Sequence, residues 1–212
     1  MSIDSTSEEL IIIMTLGNSF VGKTSFIQRF TENVFQDNYL ATVGIDSKTK
    51  IIKIKDVLYK IIFYDTAGEE RYKSISPNII KKAQGIIIMY DITNKLSFDS
   101  IPEIMKNILD NKEENFPMIL TGNKIDLEQQ REIAKEEGEK MAEKYGLEFF
   151  EISNKQGINI EKVGMTIINK ILEKRKDDSA ADTNDCTRES DASYHSKYSN
   201  LDGDQSTRRK CC

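Results

Sequence analysis

Four short stretches of this chain carry side chains suited to holding a nucleoside phosphate. Residues 17–24 read Gly-Asn-Ser-Phe-Val-Gly-Lys-Thr, a loop pattern of two glycines separated by four residues and followed by a cation and a hydroxyl. Gly17 and Gly22 let the backbone turn tightly, so that consecutive N–H groups face phosphate oxygens. Lys23 adds a point charge at the β- and γ-phosphates, and the Thr24 hydroxyl is a hard oxygen ligand for Mg2+. Ser19, Phe20, Val21 and Ser25 lie within or beside the same loop and are expected to border the nucleotide. Asp65, followed by Thr66-Ala67-Gly68, is a carboxylate placed to hold Mg2+ through water, and Gly68 lets its own N–H approach the γ-phosphate. Thr42 could add a second hydroxyl to the metal, although alone it reads as an ordinary loop threonine. Asn123-Lys124-Ile125-Asp126 suits a base: the Asp126 carboxylate can accept two N–H groups from a guanine edge, a donor pair that adenine lacks. Asn123 can orient that loop, and the Lys124 stem can cover the ring face. Ser153-Asn154-Lys155 offers a backbone N–H to the base oxygen, and Phe35 either packs on the base or belongs to a minor core.

Such groups need a frame that brings distant loops together. Leu10–Leu16 is an apolar run of strand length, and Phe26, Ile27 and Phe30 follow the loop at helical spacing. The loop thus joins a strand to a helix N-terminus, where free N–H groups and the helix dipole favour an anion. The pattern predicts strands over 10–16, 47–55, 58–65, 85–90, 116–122 and 147–152. It predicts helices over 23–31, through Phe98, Ile101, Met105, Ile108 and Leu109, over 131–145 and over 157–175. The second and third strands are rich in β-branched and aromatic residues and are joined at Asp56-Val57, which suggests an antiparallel hairpin. The expected fold is α/β: a mostly parallel six-stranded sheet with one antiparallel edge strand and helices on both faces. In such sheets ligands lie at the carboxyl ends of the strands, where all of these motifs fall. The expected organisation is a flexible N-terminus at 1–9, a nucleotide-binding domain at 10–175 and a tail at 176–212, with 177–210 too polar to order.

Composition narrows the partners. The chain has 212 residues, 38% hydrophobic and 31% charged, with a net charge of −5. That balance fits a globular domain and gives no support to nucleic-acid binding. No apolar run approaches the length that spans a bilayer, and the N-terminus lacks the features of a signal peptide, so the cytosol is expected. None of the three cysteines lies within residues 1–185. Cys211 and Cys212 are the last two residues, which suits lipid attachment better than an incidental thiol pair.

Together these motifs resemble, in order and register over residues 10–175, the small GTPases of the Ras superfamily, and most closely the Rab family. The matching stretches are Gly17–Thr24, Thr42–Asp46, Asp65–Tyr72, Tyr90–Thr93, Asn123–Asp126 and Ser153–Lys155, together with the terminal Cys211-Cys212. The resemblance implies a GTP/GDP switch in vesicle traffic that uses Mg2+ held by Thr24, Thr42 and Asp65. It implies a first switch around Thr42 and a second over 66–81, both ordered by the γ-phosphate. It further implies an exchange factor, a GTPase-activating protein, a GDP-dissociation inhibitor, an escort protein and effectors. The site would be the cytoplasmic face of intracellular membranes, in exchange with the cytosol, through prenyl groups on Cys211 and Cys212. Four positions depart from the family. Glu69 replaces the glutamine that orients the attacking water, and a carboxylate only accepts where an amide also donates. Phe20 replaces a small residue and should crowd the approach of an activator's arginine finger. Ser47 and Tyr64 replace an apolar aromatic pair on the effector surface. Glu69 and Phe20 leave open a GTP-binding module of impaired hydrolysis.

Overall fold

The computed structural model describes residues 9–36, 45–66, 77–113 and 115–185. Six strands form one sheet: β1 (Glu9–Leu16), β2 (Ile45–Ile54), β3 (Val57–Thr66), β4 (Gly85–Asp91), β5 (Met118–Asn123) and β6 (Glu148–Glu151). Their order is β2-β3-β1-β4-β5-β6. Only β2 runs antiparallel to its neighbour, so the sheet is mixed as expected. Among the described residues six α-helices accompany it: α1 (Lys23–Glu32), α2 (Pro77–Lys82), α3 (Lys95–Asp99), α4 (Ile101–Leu109), α5 (Lys135–Lys144) and α6 (Ile160–Asp185).

The central strands are apolar on both faces because both faces are covered. All seven residues of β4 are buried. Ile87 and Met89 join Ile11, Ile13 and Ile119 in a core with α1 and α6. Ile86, Ile88 and Tyr90 join Met14, Leu16 and Leu120 in a second core with α2, α3, α4 and α5. The period-2 alternation of a strand thus splits one apolar run between two cores. Fully burying each such isoleucine contributes about 1.5–3 kcal/mol.

Several boundaries differ from the sequence reading. The hairpin turns at Lys55-Asp56, one residue earlier than expected, with both residues left-handed at φ 46 and 68. Ile54 pairs with Val57, and a two-residue turn of this hand matches strand twist. The helix expected through Phe98–Leu109 is two helices separated at Ser100, with Pro102 in the first turn of the second. Leu109, expected inside, is 48% exposed at the last position of its helix. Helix α5 begins at Lys135 rather than 131, since residues 125–130 form a 3-10 segment and Arg131 is extended.

The chain divides into two compact units at Arg175/Lys176. Helix α6, expected over 157–175, runs to Asp185. Residues 177–185, read as too polar to order, are helical. Ala180 and Ala181 are the strong helix formers of that stretch, which is otherwise Asp, Ser, Thr and Asn.

Candidate functional site

The carboxyl ends of the parallel strands converge at the loop after β1. Gly17 sits at φ 149, and a Cβ there would lie 2.1 Å from the Met89 carbonyl oxygen of β4. Only glycine lets the loop leave β1 this close to its neighbour. Gly22, at φ 99, is the left-handed N-cap of α1 and makes no side-chain cap. A Cβ on Gly22 would lie 2.4 Å from Asn123 Nδ2 and 2.7 Å from Asn154 Nδ2, so the loops after β5 and β6 press directly on the loop after β1.

Those contacts are hydrogen bonds. Asn123 Nδ2 donates to the Val21 carbonyl at 2.8 Å, and Asn154 Nδ2 donates to the Gly22 carbonyl at 2.8 Å. The backbone N–H of Asn154 donates to Asn123 Oδ1 at 3.3 Å. Ser153 Oγ donates to Asp126 Oδ1 at 2.6 Å and accepts from the Gln156 N–H. Asn123 pairs across β4–β5 with Asp91, and the Lys124 ammonium lies 2.7 Å from the buried Asp91 carboxylate. Lys124 is left-handed at φ 72. The Asp91 pairing anchors its head so that its stem can lie along the cavity wall.

At the phosphate end, Lys23 Nζ is buried and donates to the carbonyls of Gly17 at 2.7 Å and Asn18 at 3.0 Å. Thr24 Oγ1 donates to Asp65 Oδ2 at 2.5 Å. Asp65 is the penultimate residue of β3, in register with Thr15 of β1, and is 3% exposed. One hydroxyl and one carboxylate, both hard oxygens, thus meet beside the loop. That donor set fits Mg2+, which takes few protein ligands and keeps water and phosphate oxygens for the rest.

A cavity of about 280 Å3 opens between these loops, lined among others by Phe20, Phe35, Asn123, Lys124, Asp126 and Asn154. Of the remaining predicted residues, Gly22, Ser25 and Lys155 also line it. The half-buried Phe35 therefore faces the ligand space and is absent from both cores. Ser19 lies in the loop without lining the cavity, and Val21 points into the first core while its carbonyl holds Asn123. Thr42, Gly68, Glu69, Cys211 and Cys212 lie outside the described residues.

Phe20 is left-handed at φ 64 and 66% exposed. For so bulky a residue that backbone costs on the order of 1–2 kcal/mol.

Three contributors escape motif reading. Gln36 and Leu127 line the cavity, and only their nearness in sequence to Phe35 and Asp126 signals it. Arg131 bonds Glu128 and Glu151 at 2.6–3.2 Å. It thereby staples the segment after Asp126 to the strand before Ser153. These bonds, Glu128 first, raise the Arg131 pKa, and Arg131 holds the Glu128 carboxyl below its ordinary range. No sequence pattern predicts that staple, because its partners lie on separate elements.

Among the described residues no helix is long and apolar enough to cross a membrane. A model of the Ras family matches residues 12–173. The chain is 38% identical over 169 residues to the Ras-related protein Rab-10 of Diplobatis ommata, covering 80% of this chain and 84% of that one. It is 38% identical over 165 residues to the Ras-related protein Rab-13 of Mesocricetus auratus, covering 78% and 81%. To the Ras-related protein Rab-8B of Homo sapiens it is 37% identical over 169 residues, covering 80% and 82%.

Proposed function

The chain belongs to the Ras family, in its Rab branch, and from that premise we propose how its own residues bind, select and switch on a guanine nucleotide. The protein is a small GTPase that binds GTP, hydrolyses it to GDP and differs in its contacts between the two states. The observation that carries the residue roles is the cross-bonding of Asn123 and Asn154 onto the carbonyls of the phosphate loop. It fixes the base-reading carboxylate of Asp126 relative to Lys23. With its carbonyl edge occupied in this way, the loop presents its N–H edge to the phosphates. Lys23 holds the β- and γ-phosphate charge, and Asp126 accepts the guanine N–H pair while Ser153 orients it. Lys124 and Phe35 cover the base. Mg2+ would be held by Thr24 and Asp65, with Thr42 as a further ligand, and would neutralise phosphate charge there.

Glu69 follows Gly68 where the attacking water must be oriented, and its carboxylate accepts the water's proton without donating in return. Neither the relatives nor the fold favour a module that does not hydrolyse, so turnover is retained. Phe20 narrows the approach for an activator's arginine.

The wider reading follows the Rab branch: effector recruitment in vesicle traffic, with an exchange factor, a GTPase-activating protein, a GDP-dissociation inhibitor and an escort protein as regulators. Prenyl groups on Cys211 and Cys212 would hold the protein on the cytoplasmic face of intracellular membranes, since two chains give stable anchoring where one is marginal. Ser47 pairs directly with Tyr64 across β2–β3, which supports their reading as one surface patch with a divergent effector set.

The test is single-turnover hydrolysis by purified protein loaded with GTP and Mg2+, with ATP as competitor. GTP bound in preference to ATP and converted to GDP is expected. Equal displacement by ATP would refute the guanine assignment, and GTP that persists for days would refute turnover.

A further inference from the structure

Phe20 combines a left-handed backbone with a large exposed ring, a pairing no other cavity-lining residue shows. A bulky side chain at φ 64 is a backbone outlier, and at 66% exposure core packing does not offset it. Glycine would hold the same turn without that strain. Outliers that persist at a binding site point to a role there. The ring lines the same cavity as Phe35, Ser25 and Lys124, whereas Lys23, Thr24 and Asp65 do not line it. Phe20 thus borders the space in front of the base-reading residues Asn123, Lys124 and Asp126, with Gly22 and Ser25 of its own loop alongside.

We infer that Phe20 is a retention residue, its ring packing on the ribose of the bound guanine nucleotide and slowing release. The inference rests on the GTPase reading and adds a control over the lifetime of each bound state. A ribose offers C–H surface beside its hydroxyls, and a phenyl ring that covers it removes apolar area from water in the bound state only. Loss of a contact of that size amounts to roughly five- to tenfold in affinity. Such losses fall mainly on the dissociation rate.

The experiment follows release of GDP carrying a radiolabel in the base, which leaves the ribose unmodified. Wild-type protein must first retain GDP; if it binds none, the GTPase reading itself fails. Given retention, F20A and F20G are expected to release GDP about five- to tenfold faster, and F20Y within twofold of wild type. F20A shares the strained backbone and F20G relieves it, so equal acceleration assigns the effect to the ring. Chelating Mg2+ should multiply the F20A effect rather than absorb it, because distant contributions add in free energy. Release from F20A within twofold of wild type overturns the inference, as does an acceleration that vanishes without Mg2+. If F20A does not fold, F20L serves, with roughly two- to fourfold faster release expected and an unchanged rate overturning the proposal.

Discussion

The two ends of the nucleotide site are built from different chemistry. At the base end, the amides of Asn123 and Asn154 and the Ser153 hydroxyl bond backbone carbonyls and one carboxylate across three loops. At the phosphate end, an ammonium sits on two carbonyls of its own loop and a hydroxyl sits on a carboxylate. Grip and selection are thus separable. On the proposed roles, charge concentrated over a few residues would hold the ligand, and a hydrogen-bond network spread over distant loops would decide which ligand is held.

Substitutions can break that division. The largest expected effect is at the phosphate end: K23A removes a buried cation and its charge-assisted bonds. Affinity for GDP and GTP should fall at least 100-fold by equilibrium binding, with no change in preference among bases. D126N gives one N–H donor where guanine needs a second acceptor, so guanine preference over a purine carrying an oxygen at that edge should fall about 10- to 100-fold. A uniform loss across bases in D126N would erase the distinction between the ends.

Sharper tests lie in the supports. R131A frees Glu151 and Glu128 from a partly buried guanidinium and should cost about 1–3 kcal/mol in chemical unfolding, with a smaller loss of nucleotide affinity. The Glu128 carboxyl lies below its ordinary value of 4.5 because of Arg131. Glu137 does so through the Ala134 N–H and then Lys95. A lowered carboxyl stabilises the fold above about pH 4.5 and loses that contribution as pH falls through the folded value. Thermal melts should therefore drop below that pH, and E128Q with E137Q should flatten the drop. The smallest effect belongs to Y90F. The Tyr90 hydroxyl is buried with no hydrogen-bond partner among the described residues, and burial raises its pKa. Its removal should change stability by less than about 1 kcal/mol.

Legibility in the sequence followed the same division. The phosphate loop is contiguous, so Gly17–Thr24 exposes its chemistry to a linear reading, and the buried run Ile86–Tyr90 does so for β4. The break at Ser100 was hidden because Phe98, Ile101 and Met105 stay in helical phase across it, leaving Pro102 as the sole signal. The turn at Lys55-Asp56 was misplaced by one residue because it uses no glycine. At the base end the residue types were readable, but their partners were not. That Lys124 reaches Asp91, or that Asn154 reaches Gly22, depends on strand order, which no local pattern encodes.

The separations of those partners also set when the site can exist. Asn123 lies 102 residues from Val21, and Asn154 lies 132 residues from Gly22. During synthesis the phosphate loop emerges early, beside the strand and helix that shape it locally. Its outer edge is completed only after Asn154 has left the ribosome, late in a process that adds about 5–20 residues each second. Until then the nascent chain has the phosphate loop without the Asn123 and Asn154 bonds that complete its edge. Capture of guanine nucleotide thus reports that the whole sheet has closed, and it stabilises only chains that have finished folding.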